Sequence, residues 1–424
     1  MSRTAATASV LLVASLAGCS GGESVPSGPQ VIHTARGDTA VVRTESGSVW
    51  GVEATLVPEV SIGELEGDLE YLFGSIGSMN VGADGTIYVM DRQVPELRAY
   101  APDGTYLRTL GRPGEGPGEL KGPDGGLAVL SDGRILVRDP ANARIQVYAP
   151  SGEALATWPI RGNFSTSSQL PWDRDDNVYA IILVDPEADV TEWVMGLVRI
   201  GPDGVPGDTI IPPDVGYDTP RLEARLEDGE NSSVSITGVP FSPSEEYTLH
   251  PDGYFIHGIS DAYRFTLLRE GDPLIIERAA EAATVTAGEK SEEEAVITTN
   301  FRRMVPDWRW NGPGIPDRKP FFSDITAGRD GRIWVTVPLA GVEVEDPDYD
   351  PQDPNSVPNR WREPVAFDVF ETDGTYLGRV NTPMGFSRYP APIFDGDTVW
   401  ATTRDEMGVQ RVVRFRVVRN EPGA

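Results

Sequence analysis

Asp346, Asp348 and Asp350 stand at alternate positions inside a Pro-rich acidic stretch that runs from Glu343 to Arg362, with Glu345 and Asp353 beside them. That spacing fits the early ligands of a calcium loop, because a hard cation wants several oxygens presented by one short turn. Pro351 stands where such a loop needs glycine and Val357 where it needs a bidentate glutamate, so a solvated acidic loop is the competing reading. A second constellation gathers Arg302, Arg303, Trp308, Trp310 and Trp361, with Arg318, Phe321 and Phe322 close in sequence. Indole faces stack on sugars and peptides, and guanidinium groups suit an anionic ligand. Packing of an inserted helix, and pairing with the chain's many carboxylates, account for the same residues. Asp91 and Asp139 each close an apolar strand, where a carboxylate either faces a central ligand or fixes the next turn by accepting backbone N–H groups.

Other chemistry finds little support. No Gly-x-Ser-x-Gly occurs to position a nucleophilic serine, and the glycine-rich run from Gly111 to Gly118 lacks the Lys-Ser/Thr ending of a phosphate loop. The histidines are His33, His250 and His257, the last two flanking one hairpin, where a hydrogen-bonded structural role is the default. With 65 acidic against 36 basic residues the formal charge is −29, which excludes a nucleic-acid partner, since phosphate contacts need clustered Lys and Arg. Cys19 is the single cysteine, so neither an internal disulfide nor a cysteine zinc cluster is available.

The position of Cys19 explains it. Arg3 precedes an apolar run from about Ala5 to Leu16 that is too short to span a membrane and has the layout of an export signal. Leu16-Ala17-Gly18-Cys19 resembles the lipobox of bacterial lipoproteins. The resemblance implies that residues 1–18 are cleaved and that Cys19 carries the lipid, which makes the membrane a partner through several acyl chains. Ser20 is not the aspartate that retains enterobacterial lipoproteins at the inner membrane, which leaves outer-membrane placement open. Residues 19–40, rich in Ser, Gly and Pro, read as a flexible tether.

Everything beyond the tether is repetitive. Asp84-Gly85-Thr86-Ile87-Tyr88-Val89 and Asp132-Gly133-Arg134-Ile135-Leu136-Val137 are two copies of one pattern, and Tyr100-Ala101-Pro102-Asp103-Gly104 and Tyr148-Ala149-Pro150-Ser151-Gly152 follow them in step, at a spacing of 48 residues. Further inner hairpins centre on Val178, Tyr254, Ile333 and Val399, each with a second apolar run behind it, such as Leu197 to Ile200 or Val412 to Val417. Gly-containing turns permit the positive φ of tight hairpins, and β-branched and aromatic residues suit pleated surfaces. With 46 glycines and 36 prolines, short strands joined by turns are expected to outweigh long helices, while 39% apolar residues suffice for a core.

The run Gly114-Glu115-Gly116-Pro117-Gly118-Glu119-Leu120, followed by Asp139, Asn142, Arg144, Ile145 and Tyr148, resembles the NHL repeat of bacterial six-bladed propellers. The resemblance implies an all-β fold, a six-bladed β-propeller of four-stranded antiparallel blades over residues 41–420. Asp139 and Arg144 then read as framework. Zinc lyases of the NHL-like group use three histidines, which this folded body lacks. The final repeat, Pro392 to Val418, wants an outer strand, and Val49 to Ile62 offers one. Insertions are expected at about 287–320 and 341–362; in the first, between blades 4 and 5, a short helix with a capping box at Ser291-Glu292-Glu293-Glu294 presents Ile297, Phe301 and Met304 on one face and stops at Pro306.

These features lead to a monomeric, lipid-anchored envelope propeller that serves as a binding module for a protein, peptide or glycan and needs no cofactor. The alternative is a metal-dependent, lactonase- or lyase-like enzyme holding calcium or another divalent cation in its central channel.

Overall fold

A computed structural model describes residues 28–160, 164–188, 193–228, 231–346, 349–350, 352–353 and 356–421. Cys19 and Asp348 lie outside the described residues, as does the segment 1–18 expected to be an export signal. The chain is built almost wholly of short strands, with one long helix at Ala287–Met304 among the described residues.

The strands form successive antiparallel sheets. The first holds Ile76–Val81, Ile87–Asp91, Glu96–Tyr100 and Tyr106–Leu110, and the second Leu127–Val129, Ile135–Asp139, Arg144–Tyr148 and Ala154–Pro159. The third has three strands, Val178–Leu183, Met195–Ile200 and Pro206–Ile210; Trp172 makes a lone bridge to Val178 where an innermost strand would run. The preceding segment spends its backbone elsewhere, with Thr166 N donating to Asp124 and Thr166 O accepting from Gly125 N. Glu245–Leu249, Phe255–Ile259, Arg264–Leu267 and Leu274–Arg278 make the fourth sheet, and Asp324–Ala327, Ile333–Pro338, Val365–Phe370 and Tyr376–Asn381 the fifth. In the sixth, Ile393–Asp395, Thr398–Arg404 and Gln410–Arg419 are completed by Ala54–Ile62 from the other end of the chain, paired antiparallel to the last of these strands from Ala54↔Arg419 to Ile62↔Val412; a short parallel pairing, Val380↔Ala54 and Asn381↔Thr55, joins the fifth sheet to it.

Adjacent sheets share apolar interfaces. Tyr88, Met90 and Leu97 of the first sheet pack with Leu127, Val129 and Val137 of the second, and Leu136 and Val147 of the second with Val178 and Ala180 of the third. Phe265 and Ile276 meet Ile333 and Val335 between the fourth and fifth, and Trp334 and Phe367 meet Phe394 and Val399 between the fifth and sixth. Ile62, Ile393 and Trp400 of the sixth then pack on Met79 and Val89 of the first, returning the circuit to its start. At the remaining junction the contacts are polar: Arg174 N donates to Pro251 O at 3.0 Å and the Arg174 side chain pairs with Asp252 at 2.5 Å. This is a propeller-like fold, in which each sheet buries both faces against its neighbours.

The outer Gly turns act as teeth between sheets. Gly104, at φ 90°, comes so close to Val60 and Ile62 that an added Cβ would lie 3.1 Å from the Val60 side chain, and Gly152, at φ 94°, sits likewise against Leu110 of the first sheet. Arg329 ties the inner turns together: its guanidinium donates to Val81 O at 2.7 Å and Asn80 Oδ1 at 2.6 Å on the first sheet, and lies 5.9 Å from the Trp172 ring centroid.

Two expectations need correction. The supposed tether is a strand from Gln30 onward: Gln30–Arg36 pairs with Thr39–Ser46, which runs parallel to Leu274–Arg278 and widens the fourth sheet. The helix also starts earlier than Ser291. Thr286 accepts from Glu289 N at 3.1 Å, and the Glu289 carboxylate accepts from Thr286 N at 2.8 Å, so the reciprocal cap lies at that pair. Ile297 and Phe301 are buried on one face, and the helix ends at Met304, before Pro306.

Candidate functional site

A cavity of about 590 Å³ opens where the helix Ala287–Met304, the hairpin Arg221–Asp228/Asn231–Gly238 and the loop at Trp361 meet the inner edges of the fourth and fifth sheets. At its wall Lys319 is fully buried. Its Nζ stands 2.8 Å from Glu289 Oε1 and 2.8 Å from Glu363 Oε2, and 4.7 Å from the Phe241 ring centroid. Burial alone would raise the Glu289 carboxyl, but the bonds from Lys319 and from Thr286 outweigh it and hold the group below its ordinary value. The helix cap and the cavity wall are therefore one hydrogen-bonded unit.

Glu292 faces the loop, its two oxygens accepting from Arg360 N at 2.8 Å and Trp361 N at 3.0 Å. This bond pair sets the indole of Trp361 against the first turn of the helix. A Cβ on Gly288 would lie 2.4 Å from Trp361 Cζ2, so only glycine permits the approach. Glu293, one position on, is pushed upward by burial and by the negative charges of Glu292 and Glu363.

Beneath it, Glu246 on an inner strand of the fourth sheet is raised to about 7, chiefly by burial and further by Asp324, against the opposing bond from Ser244 and the charge of Arg388. Asp324 is raised by burial as well. Arg388 donates to Ser323 Oγ at 2.9 Å and stands 3.7 Å from Glu363. The cavity thus offers the indole of Trp361 and the carboxyl groups of Glu289, Glu292, Glu293 and Glu363, with Lys319 buried behind two of them. Such a site accepts hydrogen bonds readily and suits a ligand rich in donors.

Of the residues singled out from sequence, Trp361 lines this cavity. Trp308 is buried edge-on against Phe301 at 4.8 Å between centroids, with Nε1 donating to Glu223 O at 2.7 Å. Trp310 donates to Pro313 O, Arg302 to Trp308 O and Arg303 to Asn300 Oδ1, so these four residues join helix, hairpin and following loop. In the acidic loop, Asp346 Oδ2 accepts from Asn359 N at 2.7 Å, tying the two sides of the loop together, and Asp350 Oδ1 from Gln352 N at 2.8 Å, closing a turn. Among the described residues no group of three or more His, Cys, Asp or Glu is placed to hold a metal ion.

Asp91 accepts from Gly74, Ser75 and Gln93 N–H groups, and Asp139 from those of Lys121 and Gly122. Arg144 donates to the carbonyls of Glu115, Gly116 and Glu119. His250 is buried, stacked on Tyr254 and bonded to Gly331 O at 3.0 Å, while His257 meets Glu245 at 2.5 Å. Lys319, Glu246, Asp324, Glu363 and Arg388 escaped the reading of the sequence. Lysine is rare here, occurring only as Lys121, Lys290 and Lys319, and that rarity was the available signal for the one that is buried.

No protein-family model matches the chain, and no curated protein does. Among solved structures, a member of the DUF4221 family from Bacteroides vulgatus is similar over 87% of this chain and 99% of its own, at 9% identity and TM-score 0.44. A Bacteroides fragilis protein named as exported covers 90% of this chain and 100% of its own, at 10% identity and TM-score 0.44. A catalytically inactive virginiamycin B lyase from Staphylococcus aureus, bound to quinupristin, covers 86% of this chain and 100% of its own, at 12% identity and TM-score 0.38.

Proposed function

We propose that this protein is an exported, lipid-anchored, six-bladed propeller of the cell envelope that acts as a binding module, with the cavity beside the helix as its ligand site. The observation that carries the reading is the origin of the cavity walls. Helix, hairpin and Trp361 loop all lie outside the repeating sheets, yet they converge on one recess at the sheets' inner edges. Segments that a ring does not need for closure are free to shape a site, and about 590 Å³ suits a small ligand or a few residues of a peptide. The carboxyl groups of Glu289, Glu292, Glu293 and Glu363 line it against the one guanidinium of Arg388, so the ligand supplies donors, as a basic peptide or a sugar does. The lipid at Cys19 would hold this recess at the membrane surface.

The test is a titration of the folded protein with a lysine-containing tripeptide, a neutral oligosaccharide and a glutamate-containing tripeptide, read by tryptophan fluorescence. Saturable binding of the basic or neutral probe, weakened about tenfold or more by Trp361→Ala, is the expected result. Indifference to all three probes, or unchanged binding by the variant, rules the site out. Mass spectrometry of the membrane-extracted protein tests the anchor separately: a bare Cys19 would sink that part of the reading.

A further inference from the structure

The segment Phe386–Pro390 separates two cavities. Arg388 points to the larger, whereas Ser387 and Tyr389 point to a second one of about 370 Å³. This second cavity lies where the first and sixth sheets meet, and its lining differs in kind. It contains Arg92 and Arg404 with Ser75, Ser167, Thr403 and Gln410, and no carboxylate. In a chain where acidic residues outnumber basic ones 65 to 36, that exclusion is selective.

Both guanidinium groups are uncommitted. Arg92 and Arg404 bond through their backbone, to Ser75 O at 2.7 Å and Gly385 O at 2.8 Å, and neither side chain makes a hydrogen bond or ion pair with any described residue. Nearby arginines are engaged: Arg411 pairs with Asp405 at 2.6 Å and Arg414 with Glu59 at 3.3 Å. Arg92 is also steered. Its stem lies flat across Gly77, where an added Cβ would sit 2.4 Å from Arg92 Cγ and 3.0 Å from Cδ. Gln410 spends its Oε1 on Ile76 N at 2.8 Å, which turns its amide nitrogen into the free end. The wall is therefore a set of donors: two forked guanidiniums, one amide and several hydroxyls.

We propose that this cavity binds an oxyanion, a phosphate or carboxylate group carried on a small organic body, held between Arg92 and Arg404. Guanidinium groups match the planar geometry of such groups, two of them line this one cavity, and the volume leaves room for more than a bare ion. Inorganic phosphate and citrate are the probes, titrated calorimetrically at constant ionic strength set with chloride. Saturable heat with either one supports the proposal, and which probe responds tells phosphoryl from carboxyl recognition. Arg92→Gln and Arg404→Gln are each expected to weaken binding about tenfold or more, while Arg199→Gln, an exposed arginine of the third sheet, leaves it unchanged. Gly77→Ala displaces Arg92 without altering charge and is expected to weaken binding as well. No saturable response to either probe, or binding by both arginine variants as tight as that of the wild-type protein, overturns the proposal. Trp361→Ala leaves this site untouched, so its outcome is separate from that of the larger cavity.

Discussion

Glu246 is held near neutrality because its carboxyl is buried on an inner strand and faces Asp324, with only the Ser244 hydroxyl and the Arg388 charge in compensation. In the unfolded chain the same group ionises at its ordinary value of 4.5, so across the interval up to about 7 the folded protein retains a proton that the unfolded chain has released. Stability therefore falls as pH rises through that interval and levels off above it. Glu246→Gln removes this dependence while keeping a partner for Ser244. Relative to wild type, the variant is expected to gain about 2 kcal/mol at pH 8 and little at pH 4, measured by urea unfolding at both. A difference that is equal at the two pH values would show that Glu246 ionises normally. Asp124, Glu293 and Asp395 are raised too and act in the same sense, whereas Glu277 and Glu289, despite burial, are lowered by their cationic partners and act in the opposite one.

At the scale of elements, the helix Ala287–Met304 joins cavity to cap through Glu289, which serves Thr286 and Lys319 at once. Thr286→Ala removes a hydroxyl acceptor from the first turn and is expected to cost about 1 kcal/mol in thermal or urea unfolding, whereas Ser291→Ala, on the exposed face one turn later, costs nothing measurable. Equal effects would place the helix start wrongly. Sequence reading had put the cap at Ser291 because Ser291 and Glu294 share the right spacing with Thr286 and Glu289, and local pattern alone cannot separate the two. The strands were legible for the opposite reason. Asp84-Gly85, Asp132-Gly133 and Asp373-Gly374 are local turn chemistry, each Asp accepting from the N–H two residues on, at Thr86, Arg134 and Thr375, so the strands that begin one residue later at Ile87, Ile135 and Tyr376 are predictable. The hairpin Gln30–Ser46 escaped because its register depends on the distant strand Leu274–Arg278. The cavity escaped for the same cause: Lys319 meets Glu289 and Glu363 across insertions, and no periodicity marks such a meeting.

The whole molecule depends on one long-range pairing. Ala54–Ile62 completes the sixth sheet against Gln410–Arg419, and its side chains serve two interfaces: Ala54 and Leu56 pack toward Trp334 and Phe367 of the fifth sheet, and Ile62 toward Met79 and Val89 of the first. The entropic cost of joining the two chain ends grows only logarithmically with the intervening length, while each fully buried aliphatic side chain contributes about 1.5–3 kcal/mol, so closure is strongly favoured. The hairpin Gln30–Ser46 stands in a different position, adding two strands to the edge of the fourth sheet with Val41, Val42 and Thr44 as its buried residues. A chain beginning at Glu53 should therefore keep a single cooperative urea transition with a modestly lowered midpoint. A chain beginning at Gly63 loses the closing strand, bares the apolar faces of Gln410–Arg419 and Ile76–Val81, and should unfold in a broad transition with a reduced m-value or aggregate during refolding. If the two truncations unfold alike, the circuit of sheets does not close through Ala54–Ile62, and the propeller would have to be held by the apolar faces between neighbouring sheets alone.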